Sequence, residues 1–315
     1  MPDSATVTMT YTTSMSDNIV DEVLDRITNL APTDTPFISS IGRDKCDTAT
    51  PEWLEDTLDT AASNSQIEGK DFSAAAVTIP TRLKNKTQIM DKVFFLSESA
   101  KASKMYARTS ELQRITGNKT KSLNNDVEYN TLNSTVATGD ESTARSMDGA
   151  LAWAHANASY TFSATAAGSN HITEIILNDQ IQALWTLGGD PDTVLAPARQ
   201  KRKISDFTAD GRLTINTNVD QKKITMTVRI IETDFGTVMV MADRHIAATG
   251  SDPYYDTILL YQKSVFKSLT FRPVKRTILG KTADGDKYAI TCERSLRCGS
   301  KKGVGKITNL SRVAA

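Results

Sequence analysis

Cysteine is scarce in this chain: Cys46, Cys292 and Cys298 are the only three in 315 residues. They are too few and too scattered for a disulfide framework, which fits synthesis in a reducing compartment. Aromatic residues make up 6% of the sequence and hydrophobic residues 39%, low values for one compact enzyme of this size. No run of about 18 apolar residues occurs, so no membrane-spanning helix is expected. Residues 1–16 have neither the basic start nor the apolar stretch of a secretory signal. Net charge is absent too, with 37 basic against 37 acidic residues. That balance removes any whole-chain electrostatic drive onto nucleic acid or an anionic membrane, and it does little to oppose self-association.

Catalytic signatures are missing as well. His155, His171 and His245 are the only histidines, and none stands at metal-ligand spacing from another histidine or a cysteine. Structural roles are expected for all three. There is no G-x-S-x-G, no phosphate-cradling G-x-x-x-x-G-K-[ST] and no G-x-G-x-x-G. Gly188-Gly189 follows an apolar periodic stretch and is explained as a helix stop. Cys292 sits on an apolar strand face, where it acts as a small buried hydrophobe. No catalytic residue, metal or cofactor is expected.

What the chain does contain is a series of elements with too little apolar surface to stand alone. Residues 1–18 form a Thr-rich polar arm, and Asp17 to Leu30 a short helix that Pro32 and Pro36 end. From Asp47 to Leu96 the period becomes two. Pro51 to Leu58 is the outgoing strand. Val77, Ile79, Thr81 and Leu83 lie on the return, and Thr87, Ile89, Asp91, Val93 and Phe95 continue the alternation. The polar stretch Asp59 to Phe72 between them is a loop tip, so the segment is expected to be a projecting hairpin that must lie on a neighbour. Ser97 to Ser134 follows as one long, wet helix of roughly 55 Å. Gly117-Asn118 interrupts it, as a kink or as the join of two shorter helices.

The remainder mixes helices and strands. Ile172 to Leu187 is a helix, Thr193 to Ala196 a buried strand and Pro197 to Phe207 a basic helix. Ile224 to Ile230, Val238 to Met241, Ile258 to Tyr261, Leu269 to Leu279, Tyr288 to Glu293 and Val304 to Leu310 have strand character. Two charge clusters stand out. Glu52, Glu55 and Asp56 lie on the hairpin, where carboxylates more often pair across a contact than catalyse. Arg199, Lys201, Arg202 and Lys203 form the densest basic run, a solvated helix face or a surface turned to DNA. Arm, hairpin and long helix each ask for a neighbour, so the chain is expected to be an assembly protein.

This order of parts resembles the major capsid protein of tailed bacteriophages, with its HK97-type fold. The stretches that carry the likeness begin with Thr35-Pro36-Phe37, Glu52-Trp53-Leu54-Glu55-Asp56-Thr57-Leu58 and Thr143-Ala144-Arg145-Ser146-Met147-Asp148-Gly149. They continue with Gly188-Gly189-Asp190-Pro191-Asp192, Thr233-Asp234-Phe235-Gly236, Phe271-Arg272-Pro273 and Glu293-Arg294-Ser295-Leu296. The resemblance implies an α+β fold. Its parts would be an arm and short helix over 1–42, an extended hairpin (the E-loop) over 43–96, and a spine helix opening the P-domain over 97–160. An A-domain over 161–275 and closing P-domain strands over 276–315 would complete it. It also implies a non-enzymatic shell protein of the virion, assembled in the host bacterial cytoplasm as hexamers and pentamers around double-stranded DNA. The chain begins almost at the arm, so a separate scaffold protein is expected. A portal and decoration proteins are further expected partners, and DNA contact should be non-specific. Glu52, Trp53, Leu54, Glu55, Asp56 and Leu58 are the expected inter-subunit contacts. The rival expectations are a β-rich tail or adhesin protein without a long helix, a DNA-binding protein using the basic run, and a hydrolase with a concealed site.

Overall fold

Pro36 opens a short helix, α1 (Pro36–Ser40), at the one position where its missing N–H removes no hydrogen bond. The computed structural model describes residues 33–59, 61–71, 77–103, 110–135, 137–140, 142–163, 170–207, 230–246, 255–281 and 284–311. The expected arm, the expected helix over Asp17 to Leu30, and Met105, Tyr106, Thr109, Ile224, Met226 and Val228 lie outside them. After α1 come β1 (Gly42–Lys45), β2 (Glu52–Glu55), β3 (Thr81–Lys84), β4 (Gln88–Ser97), α2 (Glu98–Ala102) and α3 (Glu111–Asn133). Then follow β5 (Ser159–Thr161), α4 (Glu174–Thr186), β6 (Thr193–Ala196), α5 (Ala198–Asp206), β7 (Ile230–Thr233) and β8 (Gly236–Ala242). The chain closes with β9 (Tyr255–Tyr261), β10 (Phe266–Ile278), β11 (Gly285–Cys298) and β12 (Val304–Ser311).

The single helix expected from Ser97 to Ser134 is two helices. The Ser97 hydroxyl caps α2 by accepting from Ala100 N at 3.2 Å, and the chain leaves the helix at Ser103, where ψ is 133°. Ser110 caps α3 by accepting from Gln113 N at 3.4 Å, and Arg114 pairs with Glu111 in the first turn. Each serine satisfies an orphan amide, which favours a fresh start over a continued helix. Gly117-Asn118 is neither kink nor join: α3 runs through it for 23 residues, about 34 Å. At the end of α4, Gly188 adopts φ +89°, the left-handed conformation of a helix stop. A Cβ on Gly189 would come within 2.3 Å of the Lys302 carbonyl oxygen.

Two mixed sheets form the body. One has the order β1-β10-β11-β4, and the other β5-β12-β9-β6-β8-β7. β2 and β3 pair separately as a small ribbon. β4 alternates as the period-two pattern requires, with Met90, Phe94 and Leu96 buried and Ile89, Val93 and Phe95 left 44–49% exposed. The buried set faces α3, where Asn130 contacts Met90 and Gln88, and Asp126 pairs with Lys92. The boundary expected at 275 does not fall at a change of sheet. β10 begins at Phe266 and lies wholly in the four-stranded sheet, and β12 returns to pair with β9 and β5 in the six-stranded one.

The sheets meet at three rings. Tyr261 ends β9, Phe266 begins β10, and Phe37 of α1 sits edge-on to both, with centroids 5.3 and 5.5 Å away. All three are fully buried. Burying a phenylalanine contributes about 1.5–3 kcal/mol, and edge-to-face contacts add more. Phe37→Ala should lower unfolding stability by about 3–5 kcal/mol, read as an earlier midpoint in urea denaturation of dispersed subunits.

Candidate assembly surface

The hairpin grows from a fixed root. Asn85, 1% exposed, uses its whole side-chain amide. Its Nδ2 donates to Leu296 O at 2.7 Å and Asp148 O at 3.1 Å, while Oδ1 accepts from Asp148 N at 2.9 Å and Lys86 N at 2.8 Å. The two legs are joined by Asn85 N to Pro51 O and Thr87 N to Ala49 O. Beside them Glu293, 1% exposed, accepts from Thr87 Oγ1, Arg145 Nη2 and Arg272 Nε, each at 2.6 Å. A carboxylate buried at this depth is tolerated because two guanidinium groups and a hydroxyl meet it. Lys86 Nζ and the Ser295 hydroxyl add bonds to Gly139 O and Lys86 O.

Four of the short sequence stretches that carry the capsid likeness therefore converge on one place. Arg145 and Asp148 come from the third of them, Arg272 from Phe271-Arg272-Pro273 and Glu293 from the last. Trp53, from the hairpin stretch, packs on Trp153 with ring centroids 5.6 Å apart, and Lys301 Nζ lies 5.3 Å from the Trp153 ring. Trp53 is only 8% exposed. Its surface is covered inside the chain, which leaves it no face for a neighbour, contrary to the contact role expected from the sequence.

Beyond the root the hairpin has no cover. Leu54, Leu58, Ile67, Val77 and Ile79 are 64–98% exposed, although a chain of average make-up would bury most of them. Strand pairing stops at Glu55 and Thr81. Of the three carboxylates, Glu52 pairs across the ribbon with Arg82 at 3.2 Å, an exposed contact worth under about 1 kcal/mol. Asp56 accepts only from the next amide, Thr57 N, and no described cation pairs with Glu55.

The basic run lies on α5, which buries Gln200 and Ile204 against the six-stranded sheet. Arg202 is exposed, Arg199 and Lys203 are half-buried, and Lys201 Nζ donates to Val240 O at 2.9 Å. The histidines do local work: His155 Nδ1 accepts from Asn157 N, and the His245 amide donates to Asp243. Cys292 is buried in β11, and burial pushes the Cys298 thiol up to about 12. The strongly shifted carboxyl, Glu128, raised to about 8 by burial, is fully enclosed and out of reach of a substrate. Nothing in the sequence marked Asn85, Thr87 or Glu128, because each is a lone polar residue whose partners stand 42 or more positions away or on the backbone.

A family model described as the SU10 major capsid protein matches residues 4–311. The major capsid protein of Escherichia phage Phieco32 is 33% identical over 104 residues, covering 32% of this chain and 29% of that protein. Among solved structures, the capsid of a native GTA particle superposes with a TM-score of 0.66 at 8% identity, covering 97% of this chain and 100% of that one. The capsid of cyanophage P-SCSP1u gives 0.63 at 11% identity over 94% of both chains. The holo-SrpI encapsulin complex from Synechococcus elongatus PCC 7942 gives 0.61 at 9% identity over 96% of both. The fold is thus the HK97-type α+β capsid fold, and the match across nearly the whole length shows that the chain belongs to the SU10 major capsid protein family.

Proposed function

We propose that this protein is the building block of an icosahedral phage head, assembling with its own copies into hexamers and pentamers around double-stranded DNA. The family match over residues 4–311 carries this reading. Fold likeness alone would not select it, since an encapsulin shares the fold. The role is mechanical. In this reading the four-stranded sheet with α3 is the P-domain and the six-stranded sheet the A-domain, which meets its copies at the capsomer axes. The anchored hairpin lies over a neighbour's α3. Leu54 and Leu58 supply its apolar contacts there, and Glu52, Glu55 and Asp56 face basic groups. Each contact can be weak because every subunit makes several at once.

Arg199, Lys201, Arg202 and Lys203 are candidates for non-specific contact with packaged DNA. A scaffold protein, a portal and decoration proteins are the further partners this role would bring. The 23-residue α3 disfavours a β-rich tail or adhesin protein.

Electron microscopy of the purified chain should show capsomers or closed shells, and a stable monomer under every assembly condition would refute the reading. Deleting Asp59 to Phe72 should leave a folded subunit that forms no shells. The two hairpin residues Trp53 and Leu58 should behave oppositely. Trp53→Ala should cost about 3–5 kcal/mol of subunit stability. Leu58→Asp, at a side chain 98% exposed, should change stability by under about 0.5 kcal/mol yet block shell formation in light scattering.

A further inference from the structure

Behind the three rings at the seam lies a pair of carboxyls that neither the fold nor the assembly reading uses. Glu128 of α3 is fully buried, and its oxygens accept from the first free amides of α1: Phe37 N at 2.6 Å and Ile38 N at 3.0 Å. Asp243, just past β8 and 2% exposed, faces Glu128. Its Oδ1 accepts from His245 N at 2.7 Å, while its Oδ2 is buried with no partner among the described residues. Two ionised carboxylates do not share such a place. One proton on Glu128 resolves both problems, since it removes a charge and gives Oδ2 a donor.

We propose that Glu128 and Asp243 share one proton and together form a pH-sensitive latch that docks α1 against α3 and the end of β8. Burial, reinforced by the Asp243 charge, pushes the Glu128 carboxyl up to about 8. Burial raises Asp243 too, but the His245 amide opposes that rise, so the proton rests on Glu128. The other groups facing the pair are His245 and Arg244 beside Asp243, and Tyr261 of β9. Asp192, before β6, bears on Tyr261. The Tyr261 phenol bonds the Ser40 hydroxyl of α1 at 2.7 Å, and burial holds it far above its ordinary range, so it stays neutral. α1 itself carries no titratable side chain. The sign follows from linkage. Docked, Glu128 keeps its proton; undocked and wet, it gives the proton up near its ordinary value of 4.5. Docking therefore weakens as pH rises from that value to about 8, where the docked state also ionises and the dependence levels off.

Hydrogen–deuterium exchange of the full chain, corrected for intrinsic rates, reads the latch directly. Protection of the Phe37 and Ile38 amides should fall at least about tenfold between pH 5.5 and 7.5, since linkage permits up to roughly tenfold per unit. The amides of α4 should not follow. Asp243→Asn should abolish the dependence, because its amide can donate to an ionised Glu128 without a proton. Glu128→Gln should lower protection at every pH and leave it flat. Protection that is flat in the native chain, that falls in parallel in α4, or that keeps its slope in either variant would overturn the proposal.

Discussion

The molecule depends on what Phe37 touches. The chain passes from the six-stranded to the four-stranded sheet in the five steps between Tyr261 and Phe266, and that crossing alone would act as a hinge. Phe37 closes it by meeting both rings at 5.3 and 5.5 Å, while Glu128 and Ser40–Tyr261 fix the short helix that carries it. A five-residue helix has almost no stability of its own. It persists because a side chain from α3 takes over the role of a capping residue from 91 positions away. The packing of two sheets thus rests on a helix that exists only through them, so the seam forms as one cooperative unit or not at all.

The hairpin is built on the opposite plan. Its root is a buried polar cluster in which every oxygen of Glu293 and every donor of the Asn85 amide is engaged. Such clusters are directional, so they set an angle as well as a position. The distal part has exposed leucine, isoleucine and valine and no second layer. An aimed base with an uncovered end reduces the orientational freedom lost on association, because the partner meets a segment already pointed outward. Trp53 belongs to the base and not the end, which is why its size and hydrophobicity misled: nothing in the local pattern distinguishes a tryptophan that meets Trp153 from one that meets another subunit.

Local signals survived the passage from sequence to structure, and non-local ones did not. The period-two pattern placed β4, and Gly188 marked the end of α4, because both are properties of neighbouring residues. The division at 275 failed because sheet membership depends on β12 crossing back to β9 and β5. The long helix broke where two serines outbid continuous helix, a local signal that the absence of proline had outweighed. Gly117-Asn118 was a weak point by propensity only, and α3 carries it at a cost of roughly 1 kcal/mol. Glu128 looked like one more solvated acid in a wet helix until α1 and β8 were seen to enclose it.

A chain with zero net charge and few aromatics has limited means of holding itself together, and their placement is informative. Phe37, Tyr261, Phe266, Trp53 and Trp153 are spent on internal seams, while the hairpin is left with aliphatic side chains and acids. Aromatic anchors would make each intersubunit contact strong and hard to reverse. Aliphatic contacts of modest size can separate and re-form, which lets a subunit placed wrongly leave before the shell closes around it. The same economy explains why the body is rigid where it is covered and unfinished where it is not. The uncovered hairpin cannot reach its lowest free energy within one chain, and completing it requires a second copy.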